Sequence, residues 1–198
     1  MESRKPPEYI LELSADRSNV RDVVKGVLHT IFFHRYFTPV HPQTHDVLDL
    51  TLPYVSEDDI DTLVESKSTA LVRALDTAST QLSPQYNPKP GRGTIVVQFL
   101  ERKRRKAGWF GAKGEEETVW ETWIIEVTLT NASSEWEASR NRRMMEVSLQ
   151  KAAMSIVTVV NRETAHIPPI TTNETNPFPH QILVNPKNDG WGQKLGIF

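Results

Sequence analysis

The sequence contains no cysteine, which removes disulfide bonds, thiolate metal sites and cysteine nucleophiles together. Long apolar runs are missing as well. The longest nearly apolar stretch, Ala152 to Val160, is nine residues and includes Ser155 and Thr158, too short to cross a bilayer. Neither sign of charge dominates: 23 Lys and Arg stand against 25 Asp and Glu, so no global field points to nucleic acid or an anionic membrane. No nucleophile elbow, phosphate loop or dinucleotide fingerprint occurs, because Gly108, Gly111 and Gly114 lack both the spacing and the context. Met1 to Pro7 are charged and proline-bearing with no apolar core, so no signal peptide is expected and the compartment reads as cytosolic or nuclear.

What is present suits a folded chain. The 198 residues are 38% hydrophobic and 24% charged, enough for one domain over 1–198 with a substantial core. Tyr9, Leu11 and Leu13 alternate with polar partners as a short strand. Val20, Val23, Val24, Val27, Leu28 and Ile31 recur at helical spacing, with Asp16 or Ser18 placed to cap the helix. Gly26 inside that helix costs about 1 kcal/mol relative to Ala, which points to close packing there. Val47 to Val55 alternates weakly as one strand. Ser56 to Asp59 has the form of a capping box before a second helix with Ile60, Leu63, Val64, Leu71 and Leu75 on one face. Strands are expected over Thr94–Glu101 and Thr118–Thr130, joined by an exposed hairpin finger at 102–117. A third helix, capped by Ser133 or Ser134, extends from Glu135 to Asn161. The proline-rich segment 165–198 allows only short strands, near Gln181–Val184 and Lys194–Phe198, and 1–8 is expected to be a flexible terminus. The order predicts an α+β fold, a mainly antiparallel sheet with about three helices packed on one face.

Catalytic chemistry finds little support. His41 and His45, near Asp46 and Asp49, are the best metal candidate, but two firm ligands in a loop make half a site. His29 and His34 lie five residues apart on a helix and do not share a face. No nucleophile, base and orienting group converge, so a non-enzymatic binding role without cofactors is expected. A metal-dependent enzyme using His41 and His45 is the competing reading from another class.

Two features carry a binding role. Cations run from Arg102 to Lys106 and Glu115 to Glu117 follow, so the two groups balance across the hairpin. Between them Gly108-Trp109-Phe110-Gly111 places two bulky rings in a charged loop, and exposed Trp is enriched where binding energy concentrates. On the third helix, Met145, Leu149, Ala152, Ile156, Val159 and Val160 form the core stripe. Val147, Met154 and Val157 lie on roughly the opposite side, bordered by Arg142, Arg143, Gln150 and Lys151. Arg143, Val147, Gln150, Met154 and Val157 are therefore the candidate interface with a second chain.

Several stretches together resemble a known family: Val27-Leu28-His29-Thr30 with His34-Arg35, Trp120-Glu121-x-Trp123, then Val160-Asn161-Arg162 with Ile167-Pro168. The chain resembles, from about Tyr9 to Pro169, the HORMA-domain subunits of the autophagy-initiation kinase complex. The resemblance implies a HORMA fold, no catalysis, and a heterodimer with the HORMA domain of autophagy-related protein 13 along the third helix, stabilising that partner. It implies a cytoplasmic location at the phagophore assembly site, without nucleic acid or integral membrane contact. It also carries the family's aromatic finger, which recruits downstream autophagy factors, onto Trp109 and Phe110, although these rings are adjacent here and the animal pattern separates them by a proline. A chromosome- or checkpoint-type HORMA adaptor that holds a closure peptide under a C-terminal belt is the alternative.

Overall fold

The computed structural model of the chain describes residues 5–80, 91–104, 115–171 and 176–187. Strand β1 (Glu8–Asp16) buries Leu11, Leu13 and Ala15 and exposes Ile10 and Glu12, the period of a strand with one core face. Asp16 does not cap the following helix directly. Its Oδ1 accepts from the amides of Ser18 and Asn19, at 3.0 and 2.8 Å, and so closes the turn that leads into α1 (Val20–Arg35) with Asn19 at the N-cap. Helix α1 is buried on nearly every side, and a helix of that kind must be enclosed by other elements. It packs against both other helices, against β1 and against a small hairpin.

That hairpin corrects the expectation of one strand over Val47–Val55. The chain forms β2 (Gln43–Val47) and β3 (Leu50–Tyr54), antiparallel, with Leu48 at φ 55 in the turn. Nothing in Leu48-Asp49 advertises a turn, since the residues that adopt positive φ cheaply are Gly and Asn. Leu48 is held there by packing against the core. Gly26 shows the close approach expected of it: a Cβ at that position would lie 2.9 Å from Leu52 and 3.0 Å from Val47, so the hairpin sits directly on the α1 backbone.

Helix α2 (Asp58–Thr80) begins without the Ser56 capping box. Glu57 O accepts from Asp61 N, and Asp59 Oδ1 meets the Ile60 amide at 2.9 Å. Strands β4 (Arg92–Arg104) and β5 (Glu115–Thr130) pair antiparallel out to Arg104 opposite Glu115, three residues beyond each expected end. Helix α3 (Glu135–Arg162) has Ser134 as its N-cap, accepting from the Glu137 amide, while Ser133 donates through both N and Oγ to the Glu137 carboxylate. Strand β6 (His180–Val184) pairs antiparallel with β4. The sheet order is β1-β5-β4-β6, and the single parallel pair is β1 with β5. The fold is therefore α+β as expected, three helices against a mainly antiparallel sheet.

The core faces the helices through Ile95, Val97 and Phe99 of β4 and Trp123, Ile125, Val127 and Leu129 of β5. A register shift at Phe99/Leu100 leaves one extra residue on β5, and Trp120 and the adjacent Glu121 are both buried. Glu121 is completely buried, and Arg35 Nε donates to its two oxygens at 2.9 and 3.0 Å. Trp123 Nε1 donates to Oε1 at 2.6 Å, and His166 Nε2 lies 2.7 Å from Oε2. Arg35 also donates to Glu163 O at 3.3 Å, so the pair joins the end of α1, the middle of β5 and the chain leaving α3. Removing one member strands the other charge in the core, which typically costs about 3–5 kcal/mol. We predict that Glu121→Ala lowers unfolding free energy by that amount in urea denaturation. Pairing Arg35→Met with Glu121→Leu should lose less than the sum of the single changes, and strict additivity would show that the two do not act as a pair.

Candidate protein interface on the third helix

Helix α3 divides sharply by exposure. Met145, Leu149, Ala152, Ile156 and Val160 are buried and Val159 packs against them, which is the expected core stripe. On the other side Val147 is 57% exposed, Met154 60% and Val157 38%. The structure adds two residues that periodicity did not single out: Met144, exposed beside the buried Met145, and Trp136, 69% exposed in the first turn with Arg140 Cζ 5.7 Å from its ring centre. Trp136 was legible as a tryptophan one residue inside a capped helix, spaced at 136, 140, 143, 147 and 151 along one flank.

Arg143 and Gln150 border this side and are exposed, as expected of a polar rim. Arg142 does not belong with them. Its guanidinium reaches Glu146 at 2.9 Å and Asp49 at 3.6 Å, bracing the helix against the β2–β3 turn. Ser148 Oγ accepts from Ser14 N at 3.1 Å, so α3 lies along the β1 edge and occupies one of its free donors. Between helix and sheet runs a groove of about 790 Å³, walled by Arg143, Met144, Val147 and Lys151 and floored by Glu12 and Glu126. The surface is thus apolar along the helix, basic at its margin and acidic on the sheet.

The expected finger residues, Trp109 and Phe110, lie outside the described residues, as does the strand expected at Lys194–Phe198. The arms of the finger are described. Register sets Arg102 opposite Glu117 and Lys103 opposite Glu116, and Arg102 Nε pairs with Glu117 Oε1 at 3.2 Å. The start of the basic run therefore faces glutamates across the hairpin. Such exposed pairs contribute little stability, but they neutralise the stem.

The histidine candidates separate. His45 sits 5.8 Å, centre to centre, from the Tyr54 ring, Asp46 accepts from Thr51 Oγ1 at 2.7 Å, and Asp49 faces Arg142. Among the described residues no group of three His, Cys, Asp or Glu could hold a metal ion, and no helix is long and apolar enough to cross a membrane. His29 is buried, stacked on Tyr54 at 4.0 Å, with Nε2 3.5 Å from Asp61 Oδ1. Tyr54 OH donates to that same oxygen at 2.5 Å. Burial pushes His29 down to about 4, against the opposing pull of Asp61.

A mainly antiparallel sheet carrying three helices makes this an α+β protein, an arrangement consistent with the HORMA-like fold that the sequence resemblance implies. Parts of the stretches that carry the sequence resemblance meet in space, since Arg35, Glu121 and Trp123 join one hydrogen-bonded cluster with Glu163 and His166, and Trp120 lies against His166. The family model described as autophagy-related protein 101 matches residues 12–174. A relative of that name in Schizosaccharomyces pombe is 31% identical over 186 residues, 93% of this chain and 90% of that protein. Relatives of the same name in Arabidopsis thaliana and Homo sapiens are 25% and 26% identical, covering 90% and 77% of this chain and 86% and 71% of theirs. The chain belongs to the autophagy-related protein 101 family.

The depressed His29 yields a prediction independent of function. Its folded value of about 4 lies below the ordinary 6.5, so on acidification the unfolded chain takes up this proton first. Stability contributed by the neutral ring is complete above about pH 6.5 and is lost as the pH falls towards 4, roughly 3 kcal/mol in all. Urea midpoints between pH 4 and 7 should fall less steeply for His29→Gln than for the parent, and parallel slopes would refute this.

Proposed function

We propose that this protein is a non-catalytic adaptor of the autophagy-initiation kinase complex. It pairs with the HORMA domain of autophagy-related protein 13 across the exposed side of α3 and stabilises that partner. The observation that carries the reading is the second apolar side of α3, where Val147, Met154 and Val157 stand in solvent inside a polar rim containing Arg143 and Gln150. A helix apolar on two sides is covered either by its own chain or by a partner, and no described element covers this side. Family membership supports the autophagy setting, and in this reading the protein acts at the phagophore assembly site in the cytoplasm. In this reading Trp109 and Phe110, which lie between β4 and β5 in the sequence, recruit downstream factors.

Light scattering after size exclusion tests the pairing. The chain mixed with the partner's HORMA domain should run as a 1:1 complex. Val147→Glu with Met154→Glu should weaken it by about tenfold to a thousandfold, the range for losing two well-placed apolar contacts. A complex of unchanged affinity would move the interface elsewhere, and no complex at all would overturn the pairing. Trp109→Ala with Phe110→Ala should leave the 1:1 complex intact while abolishing capture of downstream autophagy factors. Retained capture would remove the finger from the account.

A further inference from the structure

The helices cover one face of the sheet, and the other face has an order of its own. Register places Ile10 beside Ile124, Ile124 beside Val96 and Val96 beside Leu183, so one apolar row crosses all four strands. These four side chains belong to none of the helix-facing core. Polar residues bound the row on both sides. Thr122, Gln98 and Gln181 lie on one, with Gln181 Nε2 donating to Gln98 Oε1 at 2.7 Å, and Glu12, Glu126 and Thr94 lie on the other. Val96 is fully buried although no described helix packs over it, Ile124 and Leu183 are half-buried, and Ile10 is 62% exposed. Three strand spacings make the row about 15 Å long. Glu12 and Glu126 stand directly opposite one another and line the groove that Arg143 and Lys151 of α3 also line.

One end of the row leads into a segment with matching chemistry. Just after β6, Asn185 adopts φ 44, a left-handed conformation that turns the chain off the strand path. Its amide donates to Thr94 O at 2.8 Å, and its Oδ1 accepts from Thr94 N at 2.7 Å, so the turn is pinned to β4 beside the row. Residues 188–198, which lie beyond the described part, read Asn-Asp-Gly-Trp-Gly-Gln-Lys-Leu-Gly-Ile-Phe. They supply four large apolar side chains, Trp191, Leu195, Ile197 and Phe198, and one cation, Lys194. Extended, such a segment reaches about 35 Å, more than twice the length of the row. Attached three residues past β6, it meets this face at an effective concentration in the millimolar range, which a free partner does not match.

We propose that the outer face of the sheet is a docking surface for this chain's own segment 188–198. The apolar side chains of the segment lie along the Ile124–Val96–Leu183 row. The docked segment shields an apolar stripe on a sheet that would otherwise offer it to other chains.

The absence of native cysteine makes the test direct, because a single introduced thiol has no competitor. In Ile124→Cys, the thiol should react with a maleimide about tenfold faster when residues 188–198 are deleted, as expected when a local cover is removed. The full-length quadruple change Trp191→Ala, Leu195→Ala, Ile197→Ala and Phe198→Ala should give the same acceleration, which keeps the test decisive if the shortened chain does not fold. Ile124→Cys with Leu195→Cys should form an intramolecular disulfide in a particle that light scattering shows to be monomeric. Equal reactivity in the parent and the quadruple variant overturns the proposal. Protection that appears only as protein concentration and particle mass rise overturns it too, and assigns the face to a second copy.

Discussion

The fold depends on a buried charge pair. Arg35 and Glu121 are almost entirely removed from water, an arrangement that stabilises only when geometry and additional hydrogen bonds offset the loss of hydration. Here the two carboxylate oxygens receive Arg35, Trp123 and His166, and one spare guanidinium donor goes to the carbonyl of Glu163. The contacts come from three separate parts of the chain. The pair therefore fixes where α1 ends, how β5 is seated at its bulge, and where the chain leaves α3. A surface salt bridge could not impose such registration, because water would substitute for any missing partner.

The proposed interface follows from that registration. With α3 anchored at its C-terminal end by Glu163 and along its length by the Ser14–Ser148 hydrogen bond, only one rotation about its axis buries Met145, Leu149, Ala152 and Ile156. That rotation sets Met144, Val147, Met154 and Val157 outward. An interface built on a rigid helix loses little conformational freedom on binding, which suits an adaptor whose affinity must come from a modest apolar strip. The histidine under the β2–β3 hairpin plays a different part. It is buried neutral against Tyr54, and its energetics belong to folding.

Much of this was legible from residue order. The α1 and α3 core stripes, the β4–β5 hairpin and the tight packing at Gly26 all follow from periodicity and composition, and Val147, Met154 and Val157 stand exposed as the helical wheel placed them. The turn at Leu48 was hidden because a bulky residue takes a positive φ there under tertiary compulsion. The parallel pairing of β1 with β5 was hidden because alternation shows which face is buried and not which neighbour is bonded. Glu121 was the deepest concealment. A glutamate between two tryptophan positions in a strand looks solvent-facing, and only the bulge, with an arginine 86 residues away, makes it the centre of the core. Asp16 and Arg142 were placed in roughly the right neighbourhood, but their hydrogen bonds serve a turn and bracing instead of the cap and rim first expected of them.

In the proposed complex the outward side of α3 meets the partner while its inward side stays sealed. The chain has four methionines, three of them on this helix, with Met144 and Met154 exposed and Met145 buried between sheet and helices. Methyl-resolved NMR of methionine-labelled protein, titrated with the HORMA domain of autophagy-related protein 13, reads both sides of the helix in one spectrum. The Met144 and Met154 signals should shift or broaden while that of Met145 holds its position. Saturable binding that leaves Met144 and Met154 unmoved would contradict that arrangement.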